Sequence, residues 1–296
     1  MRLTFGVLMS LMVGAAHANT DLAAAIENVR TACGNISVEL SDMKKMAGIT
    51  TAVTGVGTVA GGVALGTGIA KAGVDKEIEA MEKLPLLTIA NENEFETAVL
   101  NYAKSINHSV NTAIGHAEKK SKQLGNVRTG TLATSTVANI AGAIMSGTNR
   151  VKGDLKQQID ECLASVKILS NVRMQARISK TVTDADLARA ENIIHACDAW
   201  TTVDISSINK RSTGATVSSG IGAGLGLAGT ITSASANSDG VRDGDADKEK
   251  KLNAAANVLA GGTTAASLTA TIFNATQISA IKRAATVADE CEGALK

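Results

Sequence analysis

The chain has 296 residues, enough for one large domain or two small ones, and carries 29 Lys+Arg against 28 Asp+Glu. That balance excludes a strongly basic face and, with it, general nucleic-acid binding. Aromatic residues make up 2%, which leaves few rings to stack on a base, sugar or flavin, and one proline against 28 glycines makes glycine the main punctuation.

The chain opens with a basic start, Met1-Arg2, and an apolar run from Leu3 to Gly14, followed by Ala16-His17-Ala18. The small-x-small pattern predicts a removable signal over 1–18, of bacterial Sec type, with Asn19 as the mature start and no lipobox cysteine after it. Removing Arg2 leaves 28 charges of each sign, a net of zero. Export also sets the expectation for Cys33, Cys162, Cys197 and Cys291: an even number of thiols in an oxidising compartment predicts disulfides.

The mature chain reads as two copies of one plan, over 19–170 and 171–296. In the first copy Asp21-Leu22-Ala23 leads to Glu27-Asn28 and Cys33. In the second, Asp186-Leu187-Ala188 leads to Glu191-Asn192 and Cys197. A basic pair follows each (Lys44-Lys45, Lys210-Arg211), and then a glycine-rich stretch without charge. Gly55, Gly57 and Gly61 align with Gly220, Gly222 and Gly226 at a constant offset of 165. The second and fourth cysteines close their copies in Asp160-Glu161-Cys162 and Asp289-Glu290-Cys291. The repeat predicts an internal duplication. It favours the pairs Cys33–Cys162 and Cys197–Cys291, and also admits Cys33–Cys197 with Cys162–Cys291. The first copy is longer, with an extra helix predicted around 84–122. There Phe95, Val99, Tyr102, Ile106, Val110 and Ile114 recur at spacings of three and four. No segment alternates as a strand does, so the expected fold class is all-α: two Gly/Ala-rich helical-hairpin halves, stapled by disulfides.

Four windows hold no charge: 25 residues between Lys45 and Lys71, 21 between Arg128 and Arg150, 27 between Arg211 and Asp239, and 30 between Lys251 and Lys282. A helix on the surface of a water-soluble protein needs a charged outer face, which these windows lack. Each is long enough for a bilayer, where ~20 residues suffice. Small residues one turn apart, Gly57/Gly61, Gly62/Gly66, Gly220/Gly224 and Gly222/Gly226, predict close helix packing. They resemble glycine-zipper membrane segments, which is a packing style and not a family. With the mature N-terminus outside and all four windows spanning, or forming two re-entrant hairpins, every cysteine falls on the oxidising side. Three features point the other way. The windows are rich in Ala, Gly, Ser and Thr, and the fourth carries Asn253, Asn257, Asn274 and Gln277. Trp200 and Tyr102 make no aromatic belt, and Lys/Arg density does not differ between the two sides.

Motifs for chemistry are missing. Gly61 to Gly66 is followed by Thr67-Gly68 with no lysine, so no Walker loop forms. The Gly55-x-Gly57 and Gly222-x-Gly224 runs follow no strand, so a dinucleotide site is not expected. Asp243, Asp245 and Asp247 have calcium-loop spacing, but Lys248 and Ala254 stand where the loop needs Gly and Glu. His108 and His116 are too far apart for a helical ligand pair, and His195 lies beside a pairable cysteine. Lys119, Lys120 and Lys122 read as a solvated helix end, with contact to anionic headgroups as the alternative. The expectation is therefore an exported, non-catalytic cell-envelope protein with no catalytic residue, cofactor, metal or small-molecule substrate. Its partners would be membrane lipid and either itself or another protein. The alternatives are a soluble extracytoplasmic bundle serving binding or secretion, and a pore former that inserts conditionally.

Overall fold

The computed structural model describes the backbone of residues 21–82, 94–180, 182–242 and 244–296, and their side chains except at 81–110. The expected signal over 1–18, the outward or inward facing of Phe95 to Val110, and Asp243 of the acidic loop lie outside the described residues. The described residues are all-helical, without a strand. The helices are α1 (21–33), α2 (Ile36–Glu82), α3 (Glu94–Thr148), α4 (Gly153–Ser179), α5 (Asp184–Asp198), α6 (Ile205–Ala236), α7 (Asp239–Arg242) and α8 (Ala246–Leu295). A 3₁₀ turn, Ala199–Thr202, links α5 to α6. The predicted extra helix is not separate from the window that follows it: α3 runs unbroken from Glu94 through that window to Thr148.

Local signals explain where the helices break. α1 gives way to a turn at Gly34-Asn35, where the Gly34 N–H still bonds Arg30 O and a Cβ would sit 2.7 Å from that oxygen, a contact that glycine avoids. Thr183 caps α5: its Oγ1 accepts from Asp186 N at 3.2 Å and donates to Asp186 Oδ2 at 2.6 Å. Between α3 and α4, Asn209 takes both backbone groups of Val151, accepting its N–H at 2.8 Å and donating to its C=O at 3.2 Å. Asp204 caps α6 through Ser206 and Ser207, and those hydrogen bonds hold its carboxyl below the usual carboxylate range. The Ser37 hydroxyl, and then Lys296, do the same for Glu292. A depressed carboxyl pKa stabilises the fold above the ordinary value, and that contribution is lost as pH falls through the lowered one.

The chain forms two compact units, each drawing on both sequence halves. Among the described residues, the first comprises 21–51, Met145–Ala215 and Ile272–Lys296, and the second 52–82, 94–144 and Thr216–Thr271. The first unit has an ordinary apolar core of large side chains. Leu22, Val29, Ile36 and Leu40 meet Leu155, Ile159, Val166 and Leu169, with Ile193, Trp200 and Ile281 beside them. The disulfides Cys33–Cys162 and Cys197–Cys291 lie in this core, the pairing that the repeated cysteine spacings favour. The two bridges are neighbours, since the sulfurs of Cys33, Cys162 and Cys291 lie within 4.8 Å of one another.

Candidate functional site

The second unit is built on a different plan. Its interior is lined by short side chains, many of them polar: Ser135, Asn139, Ser219, Ser233, Thr263 and Ser267 are all buried. Its outer surface carries the branched aliphatics. Val59, Val63, Val137, Ile144, Ile221 and Val258 are exposed, Val258 at 75%. Outward threonines keep their hydroxyls within the helix. Thr67, Thr131, Thr134, Thr232 and Thr269 each donate to the carbonyl four residues back. This reverses the usual arrangement, in which large apolar groups sit inside and polar groups outside.

The glycines explain how the interior closes. A methyl group at Gly61 would lie 2.8 Å from Thr264 Oγ1 and 3.4 Å from Ser135 Oγ. One at Gly226 would lie 2.5 Å from Thr136 Oγ1 and 3.3 Å from Thr263 Cγ2. Gly57 and Gly222 both press on the Asn139 side chain. These four glycines face neighbouring helices. The other four expected packing positions, Gly62, Gly66, Gly220 and Gly224, have nothing within 4 Å of a Cβ. Spacing identifies a pair one turn apart, but not the direction in which the pair faces.

The middle of the interior is held by Asn139. Its Nδ2 donates to Ser267 Oγ at 2.7 Å, and the Ser135 hydroxyl donates to Gly57 O at 2.8 Å. At the end where α6 turns into α8, charge is buried. Arg128 is fully buried and donates from Nε to Ser233 Oγ, from Nη1 to Asn257 Oδ1 and from Nη2 to Asn253 Oδ1, at 2.9, 3.2 and 2.6 Å. Lys71, 1% exposed, donates to Asp75 and Glu249, each at 2.8 Å, and Ser121 donates to the other Asp75 oxygen. Buried charge needs partners: Lys71 is ion-paired to Asp75 and Glu249, whereas Arg128 is held by three neutral side chains, with Asp75 and Glu249 acting on it through charge alone. An open cavity of about 490 Å³ lies beside this network, lined by Asp75, Glu79, Glu118, Asp247, Glu249 and Lys250 among others. Between the charged end and Asn139 lies one apolar layer of Ala64, Leu132 and Ala260, with Leu65 packed on it.

Arg128, Lys71 and Leu132 were not singled out by sequence reasoning. The two cations are visible there only as the residues that end charge-free windows. Asn253, which counts against a membrane when read as part of a linear window, turns inward onto Arg128. The acidic turn serves structure: Asp245 Oδ1 caps α8 through Lys248 N, and Asp239 pairs with Lys122 at 3.1 Å. His116 and His195 are exposed and stand apart from this network, as do Lys119 and Lys120.

By length and composition, one helical run among the described residues, Asp21–Ala80, contains an 18-residue window apolar enough to cross a membrane, with mean hydropathy 1.4. No protein-family model matches the chain, and neither a curated protein nor a solved structure matches it.

Proposed function

We propose that the second unit is a membrane-embedded bundle, and that the protein is an exported, non-catalytic envelope component acting in or at a membrane. The observation that carries this reading is the inverted burial: Ser135, Asn139 and Ser267 inside, Val63, Ile144 and Val258 outside. In water that arrangement leaves branched aliphatics hydrated without return. In lipid it costs nothing on the outside, and it satisfies polar groups where no water can. The back-bonded outward threonines fit the same solvent. So does length: 21 to 30 charge-free residues make helices of about 32–45 Å, against a hydrocarbon core of about 30 Å. Mean hydropathy understates such helices because it averages the inward Asn and Ser with the outward Val and Ile.

The internal duplication belongs to the same reading, and its support is in the contacts. Shift α2 onto α6 by 165 positions and exchange α3 with α8 at 128. The contacts of Gly61 with Thr264 and Ser135 then become those of Gly226 with Thr136 and Thr263. The same shift carries the Gly68–Asn257 approach onto the Ser233–Thr129 hydrogen bond. Two hairpins related in this way, each closed by its own disulfide, make a self-contained scaffold. The first unit, with its large apolar core and its bridges, suits water on the oxidising side.

The test is carbonate extraction of membranes from cells making the protein, with non-reducing electrophoresis of both fractions. The chain is expected in the pellet with both bridges formed. Full release into the supernatant would overturn the membrane reading in favour of a soluble envelope bundle.

A further inference from the structure

Resting on the membrane reading, we propose that the axis of the second unit is a closed conduction path for water and small inorganic ions, shut by the Leu132 layer. Residues 128, 132, 135 and 139 recur at three and four along α3 and so share one face. Taken from the charged end, that face presents Arg128 with Asn253, Asn257 and Ser233, then Leu132, then Ser135, then Asn139 with Ser267. The path therefore has hydrogen-bonding walls on both sides of a single apolar turn. At that turn all four helices contribute small or aliphatic groups: Ala64 from α2, Leu132 from α3, Gly229 from α6 and Ala260 from α8. A methyl at Gly229 would lie 3.5 Å from both Leu132 methyls, so the leucine fills the space that the glycine leaves. Hydrophobic constrictions of this kind close a pore by dewetting.

Two further observations point to a solvent path and not merely to a polar core. The charged end opens into the 490 Å³ cavity, which brings water to the Arg128 layer. On the far side of the plug, the fully buried Ser219 hydroxyl has no hydrogen-bond partner in the protein. A buried hydroxyl in that state leaves hydrogen-bonding capacity unused that a water molecule would satisfy. Arg128, Lys71, Lys76, Arg242 and Lys250 are matched by Asp75, Glu79, Glu118, Asp247 and Glu249, so the mouth carries no net formal charge. The path accordingly passes small ions of either sign with little preference.

The experiment is reconstitution of the full-length protein into phosphatidylcholine vesicles, with potassium chloride flux measured and an entrapped fluorescent dextran as a control for bilayer damage. Wild type is expected to be tight. Leu132→Ser is expected to raise flux by on the order of tenfold, because a wetted constriction conducts. Ala260→Ser, which wets the same layer without removing bulk, should raise it in the same direction, and the dextran should stay inside in both. If both variants insert as wild type does, with both disulfides formed, and remain tight, the path is overturned while the membrane reading stands. Release of dextran together with ions also overturns it. Failure of wild type to insert removes the membrane reading, and the path with it.

Discussion

Gly226→Leu is expected to destabilise the protein by about 3 kcal/mol or more, whereas Gly224→Leu on the same helix is expected to leave it nearly unchanged. The two glycines differ in what a side chain would meet. At Gly226 the first carbon already falls 2.5 Å from Thr136 Oγ1 and 3.4 Å from the Thr136 Cα, so backbone as well as side chain must move. Forcing extra carbons into a packed interior costs typically 1–3 kcal/mol, and more where backbone resists. At Gly224 there is nothing within 4 Å, and leucine is the better helix former by roughly 0.5–1 kcal/mol. Gly61→Leu should behave as Gly226→Leu does, because Thr264 Oγ1 and Cα stand in its way at 2.8 and 3.3 Å. Circular-dichroism melting in detergent compares the three directly. Equal melting of Gly224→Leu and Gly226→Leu would mean that these helices do not meet as described.

The second large effect is expected from the bridges. Replacing Cys33 and Cys162 together by serine should cost about 2–5 kcal/mol, as should the Cys197/Cys291 pair. The bridges close segments of 129 and 94 positions, lengths at which loss of chain entropy in the unfolded state is large. A second cost arises because the sulfurs are buried in the first unit's core, where two hydroxyls in their place lack hydrogen-bond partners. Reversible unfolding in denaturant, with the reduced wild type measured alongside, gives both numbers. The adjacent bridges make the two losses non-additive, so the quadruple variant should lose less or more than the sum. A loss below 1 kcal/mol for either pair would show that the core holds without its staples.

The features that were legible in the sequence are those that repeat. The repeated spacings favoured one cysteine pairing: Glu27 to Cys33 matches Glu191 to Cys197, and Asp160-Glu161-Cys162 matches Asp289-Glu290-Cys291. The charge-free windows announced four long helices for a similar reason: none contains a proline, and each is bounded by Lys, Arg or Asp. Direction around those helices was not legible. With no charge on either side, the contrast between an outward Val and an inward Ser or Ala is small, so periodicity does not tell Gly222 from Gly224. The buried Arg128 was hidden for a different reason. A residue next to a window reads as its solvated end, and only the partners on α6 and α8, Ser233, Asn253 and Asn257, draw it inside.

The scarcity of aromatic residues allows contact between lipid and the outer surface of the second unit to be measured with little background. Trp200 is the single tryptophan and lies in the first unit's core, 2% exposed. Ile140, midway along its window and 47% exposed, can carry a second as Ile140→Trp. In vesicles of phosphatidylcholine brominated at mid-chain, the wild-type emission is expected to be unchanged relative to unbrominated lipid, and the added emission of the variant to be strongly quenched. An Ile140→Trp emission that brominated lipid leaves untouched, in protein that remains with the vesicles, would contradict the account.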